Sequence, residues 1–538
     1  MHTTDSPSIG RVVEITGERA LVELTADPTR RTAEGCYPGQ PGSHVKIPFE
    51  EHNIVGIVSG VRMDNGHDGA PTRQLADCLL VGTLYPDGRF GRGVAVYPTV
   101  GQRVGVVAPE ELRRILAEFV QYGYAFGRHS QAEDQRAFVQ ADRFFGQHVA
   151  VLGNTGCGKS CTVVSVLQHA IRQYPNSHII VLDLHGEYAS AFPDNALLVP
   201  ADEVELPYWL LNFDEFQALF VDQNEPTAQN QASVLRDAIV RAKMTTDSNE
   251  QLGLGKAITA DAPIFFELPE VLEQIRSWNI QMVSNSEGRT EPGPLFGAFD
   301  KFLIRLDART SDPRFRFMFA PTSCTNDGHL PGLLRDYLSI DTGKRIAVID
   351  LSAVPSEALG VVVGVVSRLV YEFNLWNPVR QHFPVLMVYE EAHHYLPSRL
   401  DPRFATARTA VERIAKEGRK YGIGMIVVSQ RPKELSETVL SQCNTYVAMR
   451  LSNPEDQAYV RKLVPDSLAG LMNMLPALRT GEALVVGDSV PLPTKVLIDC
   501  PDPRPESTNV EFCRWWTEGE PLDVERVLKR WRARRKDL

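Results

Sequence analysis

The sequence predicts an α/β fold preceded by a β-barrel, and three observations carry that prediction. The run His148-Val149-Ala150-Val151-Leu152 leads into a glycine-rich loop and then into a segment of helical spacing, the order strand, loop, helix. Later short apolar runs end in acidic or polar groups and alternate with helical patterns, as in parallel sheets. Before them, the stretch from Ile9 to about Val107 carries short alternating runs broken by Gly, Pro and Asp, the pattern of a small closed barrel. The expected layout is a barrel over 1–108 and an α/β core in two parts, 109–205 and 321–500. A helical insertion over 206–320 separates the two parts, and a C-terminal helical brace covers 501–538.

Size and composition suit this layout. The chain has 538 residues, 43% of them hydrophobic and 23% charged, ordinary for a globular protein of several domains. The first thirty residues are polar and include Asp5, Glu14 and Glu18, unlike a signal sequence. The most apolar run, Ala358 to Val366, is interrupted by Gly360 and Gly364 and is too short for a bilayer, so no membrane span is expected. Eight cysteines without paired zinc-type spacing point to a reduced, cytoplasmic protein. A net charge of −11 excludes nucleic-acid binding over the whole surface but leaves room for a locally basic channel.

In chain order, the barrel runs include Arg11–Ile15, Ala20–Leu24, Val55–Val58 and Leu79–Leu84. They lack an aromatic series for stacking bases, which favours an oligomerisation collar. Pro109 to Phe126 reads as a linking helix. Gly153-Asn154-Thr155-Gly156-Cys157-Gly158-Lys159-Ser160 then fits G-x-x-x-x-G-K-[ST], with Cys161 following in the helix. Its glycines let successive N–H groups converge on a phosphate, and the helix adds its positive dipole end. Lys159 is placed to reach the β- and γ-phosphates of ATP, and Ser160 to hold Mg²⁺. Cys157 and Cys161 read as small buried residues.

A strand over Ser177–Leu184 precedes His185-Gly186-Glu187-Tyr188, polar groups where α/β sheets keep ligands. Helical periodicity dominates from about Leu206 to Arg316, as in Gln231–Lys243 and Leu268–Ile280, with loops expected at Thr246–Gly255 and Asn285–Gly293. The strand Arg345–Leu351 and a helix from Pro355 to about Trp376 follow. Next, Pro384-Val385-Leu386-Met387-Val388-Tyr389 ends in Glu390-Glu391. A buried strand ending in two carboxylates puts Glu390 at the Mg²⁺ shell and Glu391 where it orients an attacking water. His393 and His394 have no spaced partner and read as polar loop residues. After a helix over Thr406–Tyr421, the strand Gly424–Ser429 ends in Gln430, suited to sensing the γ-phosphate. A further helix over Glu434–Cys443 and a strand over Asn444–Leu451 follow, with helix Pro454–Leu463 after them. Gly481–Gly487 and Thr494–Ile498 are read as closing the sheet. Arg419, Arg431 and Arg450 are all candidates for stabilising phosphoryl charge, in cis or from a neighbouring subunit. The tail, Val524 to Lys536, carries Val524, Val527, Leu528 and Trp531 on one helical stripe among Arg and Lys, suiting either nucleic acid or a neighbouring subunit.

GNTGCGKS, VLDLHGEY, ELPYWLLNFDE, AVIDLSAVP and VLMVYEEAHHYLP occur in that order, followed by EGRKYGIGMIVVSQRPKELSETVLSQCNTYVAMRLSNPEDQ. This series resembles the HerA family of DNA-translocating ATPases within the wider FtsK–HerA group, over about Arg143 to Asp499. The resemblance implies a RecA-like P-loop NTPase core and a homohexameric ring with ATP sites between subunits and double-stranded DNA through its centre. It implies Lys159 and Ser160 as phosphate and Mg²⁺ contacts, Glu391 as the catalytic carboxylate, Gln430 as the sensor and Arg419 as the arginine acting in trans. It further implies a working partner, a nuclease or a sirtuin-like NAD-consuming effector, in DNA processing or antiviral defence. The expected function is thus an ATP-hydrolysing DNA translocase or helicase. The alternative is an ATP-dependent hexameric scaffold that assembles and regulates an effector without productive translocation.

Overall fold

A computed structural model of the chain describes residues 8–26, 39–65, 72–121, 123–130, 132–200, 204–222, 225–284, 286, 288–465, 468–506 and 510–533. Asp5, Asn285 and the tail beyond 533 lie outside them. The chain forms two compact units. The first comprises residues 1–176, 388–393 and 424–507, and the second residues 177–387, 394–423 and 508–538.

The first unit begins with the barrel. Its strands are β1 (Ser8–Thr16), β2 (Arg19–Leu24), β3 (His44–Phe49), β4 (His52–Asp64), β5 (Arg73–Leu84), β6 (Phe90–Arg92) and β7 (Arg103–Val106). They pair in the order β2-β1-β7-β3-β4-β5-β6, and β2 also pairs with β5, which closes the ring. Closure leaves no unpaired edge within the ring and creates an interior that the alternating residues fill. Val12, Val22, Val45, Ile47, Ile54 and Val58 are all buried there. The helix Pro109–Gln121 is fastened to the barrel by Lys46, whose Nζ lies 2.6 Å from Glu111 Oε1.

The expected helix stops short of Phe126, because residues Gly123–His129 form a strand paired with Ala132–Gln140. Tyr124 and Phe126 are both buried, an alternation of period two that fits a strand. Within this unit the sheet runs Ile423–Ser429, Val149–Leu152, Thr445–Ala448, Glu482–Gly487, Thr494–Ile498, Gly123–His129, Ala132–Gln140. The first three are parallel and the rest antiparallel. The helix expected over Glu434–Cys443 is the shorter Glu437–Ser441, begun by Ser436, whose side chain accepts from Val439 N.

In the second unit, Ala196–Val199, Ile346–Asp350 and His178–Asp183 are parallel neighbours in that order. The four-residue strand Ala196–Val199 is too short to declare itself by periodicity. Helices Phe213–Phe220, Ala228–Met244, Leu268–Asn279 and Asp300–Thr310 lie in the stretch expected to be helical, and a further helix, Leu330–Tyr337, falls after it. Two expected loops are structured. Asp247–Leu252 is a helix capped by Thr246 and ended by Gly253 in the left-handed region, and Met282–Ser284 pairs with Thr290–Pro292 as a hairpin.

Ser356–Trp376 is a helix of 21 residues, long and apolar enough by itself to cross a membrane, so the interrupted run within it understated its length. Most of its apolar stretch is buried in the protein. Arg368, 7% exposed, grips Glu215 at 2.8 and 2.9 Å, which ties the helix into its unit by a bidentate pair. Gly360 and Gly364 let it approach the neighbouring chain closely, since a Cβ on Gly360 would lie 2.3 Å from the Arg403 carbonyl oxygen. It is a core helix. The helices Phe512–Glu518 and Val524–Ala533 leave Trp516, Val524, Val527 and Trp531 exposed.

Candidate functional site

The loop after Val149–Leu152 owes its shape to the sequence. Strand Val149–Leu152 is wholly buried between two parallel neighbours, so the chain must leave it at the sheet's carboxyl end. There Gly156 and Gly158 take φ of 74° and 99°, conformations that cost an L side chain about 1–2 kcal/mol or more. The helix Lys159–Gln173 starts directly afterwards with Gly158 at its N-cap and no side-chain cap, leaving its first N–H groups without that partner. The loop is pinned on both sides by backbone bonds: Asn154 N donates to Arg450 O at 2.9 Å, and Gly481 N to Cys157 O at 3.0 Å. Gly481 is steadied by the adjoining Glu482, whose carboxylate takes Arg479 at 2.7 Å and Lys495 at 3.3 Å. Burial pushes that carboxyl up, but bonds from Arg479 and Ser130 and the Lys495 charge overcome it and leave the pKa at about 2.

Each expected site residue has a definite place. Lys159 is buried, with Nζ donating to Asn154 O at 3.2 Å, so its ammonium lies within the curl of the loop. Ser160 and Cys161 are half-buried in the helix's first turn. The Asn154 amide donates to Ser452 Oγ, and Thr155 Oγ1 donates to Gln430 Oε1. Thr155 and Gln430 therefore meet although far apart in sequence. Cys157 turns away from the loop into the core, where its Sγ lies 3.9 Å from Met449 Sδ. Burial raises its thiol pKa, which makes it unreactive. Its N–H is already engaged by Asn154 O at 3.3 Å.

The two carboxylates at the end of strand Val385–Tyr389 are buried, Glu390 at 2% and Glu391 at 7% exposure. Glu391 has a φ of 44°, a left-handed conformation that a glutamate adopts only under constraint. Its Oε2 is buried without a hydrogen bond of normal geometry, although His393 Nδ1 stands 3.3 Å away. His393 is buried, contrary to its reading as a polar loop residue; His394 is the exposed one. The same Nδ1 lies 3.3 Å from Ser429 Oγ. This link joins residues 36 apart in the chain, and only the adjacency of His393 to the acidic pair hinted at it.

Around the loop, a cleft of about 540 Å³ is lined by Asn154, Thr155, Gln430, Arg431, Asn453 and Asp456, among others. Arg431 is paired with Glu434 at 2.8 Å. Its pKa is raised chiefly by that glutamate, with Asp456 and Glu391 adding to it. Arg450 borders the loop through its backbone. Arg419 stands exposed on the turn Gly418–Tyr421 of the second unit. In that unit Asp183 is fully buried and accepts from the N–H groups of His185, Gly186 and Tyr188, which makes it the organiser of its turn. No cluster of three or more His, Cys, Asp or Glu suited to a metal occurs among the described residues. A hydroxyl and a carboxylate beside phosphate oxygens still suit Mg²⁺, which keeps few protein ligands.

Residues 124–370 match the family description "Helicase HerA, central domain". The DNA double-strand break repair helicase HerA of Sulfolobus acidocaldarius is 28% identical over 444 residues, 81% of each chain. A probable helicase of Methanocaldococcus jannaschii is 26% identical over 514 residues, 90% of this chain and 91% of its own. Among solved structures, VirB4 of Thermoanaerobacter pseudethanolicus aligns with a TM-score of 0.48 at 16% identity, over 70% of this chain and 96% of that one.

Proposed function

We propose that this chain, whose residues 124–370 match the HerA central domain and which is similar to HerA helicases over most of its length, is an ATPase that couples hydrolysis to movement along double-stranded DNA. The observation that supports this best is Glu391, a buried carboxylate held in a left-handed backbone conformation next to Glu390 at the end of a buried strand. Backbone strain of this kind costs stability and persists where chemistry uses it.

In this reading the loop N–H groups and the helix N-terminus receive the phosphates of ATP, and Lys159 exchanges the Asn154 carbonyl for phosphate oxygens. Ser160 and Glu390 are the residues that hold Mg²⁺, which when bound neutralises charge on the phosphate oxygens. Glu391 orients a water and takes its proton as the water oxygen bonds to the γ-phosphorus and the bond to the ADP oxygen breaks. Gln430, tied to Thr155, is placed to report whether the loop is filled. Arg419 or Arg450 adds positive charge at the transferring group, Arg419 from a neighbouring subunit. A contact of that kind is head-to-tail, and repeating it closes a ring, here a homohexamer. An effector subunit, a nuclease or a sirtuin-like NAD-consuming enzyme, is the working partner in DNA processing or antiviral defence.

Translocation is tested by strand displacement. Wild-type protein with ATP is expected to strip a triplex-forming third strand from linear duplex DNA, and Glu391→Gln is expected to leave it in place. Wild-type protein that hydrolyses ATP steadily yet never displaces the strand is the scaffold, not a motor.

A further inference from the structure

The geometry points to His393 as a positioning residue that holds the Glu391 carboxylate and ties it to the end of strand Ile423–Ser429. This rests on the reading of Glu391 as the water-activating group. His393 Nδ1 is 3.3 Å from Glu391 Oε2 and 3.3 Å from Ser429 Oγ, and all three residues are buried. Ser429 Oγ already accepts from Arg431 N at 3.0 Å.

Two tautomers of the ring are chemically possible, and the surroundings discriminate between them. With Nδ1 unprotonated, the ring accepts the Ser429 hydroxyl proton but faces Glu391 Oε2 lone pair to lone pair, and the buried oxygen keeps no donor. With Nδ1–H, the ring brings a donor to 3.3 Å from that oxygen, and Ser429 Oγ stands beside it as a second acceptor. A buried carboxylate oxygen facing a lone pair is the costlier arrangement, so the carboxylate selects the Nδ1–H form.

The arrangement joins two parts of the site. At the end of one strand, Gln430 bonds the phosphate-loop hydroxyl of Thr155, while the preceding Ser429 reaches Glu391 through His393. The carboxylate is thereby kept in register with the loop by side-chain contacts, beyond what its strained backbone alone provides. Loss of the ring N–H is expected to let Glu391 drift from the attacking water without touching the nucleotide.

The test compares steady-state ATP hydrolysis and binding of a non-hydrolysable ATP analogue for full-length wild type, His393→Leu, His393→Asn and Glu391→Gln. Asparagine carries an N–H near the place of Nδ1. His393→Leu is expected to lower kcat by about 10–100-fold. Its KM and analogue affinity should stay within about twofold of wild type. His393→Asn should recover most of the loss. If His393→Leu does not fold, His393→Gln replaces it; glutamine carries its N–H farther from the backbone than Nδ1, and slow turnover is again expected. Wild-type kcat in the leucine or glutamine variant, with Glu391→Gln inactive, overturns the role of His393 alone. An asparagine variant as slow as the leucine one and equally lowered in melting temperature makes His393 a packing residue and also overturns it. Normal turnover by Glu391→Gln removes the reading on which both stand.

Discussion

Replacing Glu391 by glutamine is expected to lower kcat for ATP hydrolysis by about 10²–10⁴-fold while nucleotide binding persists. Glutamine matches glutamate in shape, so the buried strand end keeps its packing, and the left-handed backbone at this position is no worse for one than for the other. What disappears is the negative charge and the ability to take a proton from water. Lys159 and the loop are untouched, and ATP should accumulate on the protein instead of turning over. The measurement is a pair: steady-state phosphate release, and the nucleotide recovered from protein re-isolated after incubation with ATP. Near-normal phosphate release from Glu391→Gln assigns the proton-accepting role to another group.

Lys159→Ala is expected to abolish turnover by a different route, through binding. The Lys159 ammonium is buried inside the loop with the Asn154 carbonyl as its partner, so the loop is organised around a positive charge. Charge-assisted bonds to phosphate contribute about 1.5–3 kcal/mol each, so their loss weakens ATP binding by roughly 10–100-fold and removes charge stabilisation in the transition state as well. Thermal unfolding separates the two variants. A ligand at about 100 times its Kd stabilises the folded state by about 2.7 kcal/mol. Saturating ATP should therefore raise the melting temperature of wild type and Glu391→Gln, and barely move that of Lys159→Ala. An undiminished ATP-induced shift in Lys159→Ala would separate this lysine from the phosphates.

The parts legible in the sequence are those written in contiguous residues. The strand Val149–Leu152, the loop and the helix Lys159–Gln173 each follow from local periodicity and glycine placement, as does the strand that ends in Glu390 and Glu391. The barrel was readable as alternation, and its closure through β2 and β5 is a long-range pairing that alternation only permits. Relations between distant residues were the harder part. Thr155 meets Gln430, and His393 meets Ser429, because strands remote in sequence end beside one another. The strand Gly123–His129 was hidden because its two aromatic residues continue a helical pattern as readily as they begin a strand of period two. An arginine that acts across a subunit boundary leaves no mark in the packing of its own chain, so Arg419 is singled out by resemblance and not by contacts.

The central claim is that hydrolysis at this loop is coupled to DNA. It is tested most directly by steady-state ATP turnover of the purified chain, alone and with linear duplex DNA, at low and at moderate salt. Strong stimulation by DNA that fades as salt rises is the expected result, because contacts to phosphates release counterions and weaken steeply with ionic strength. Turnover that is the same with and without DNA at low salt would contradict the account and leave an ATPase whose work is done on a protein partner.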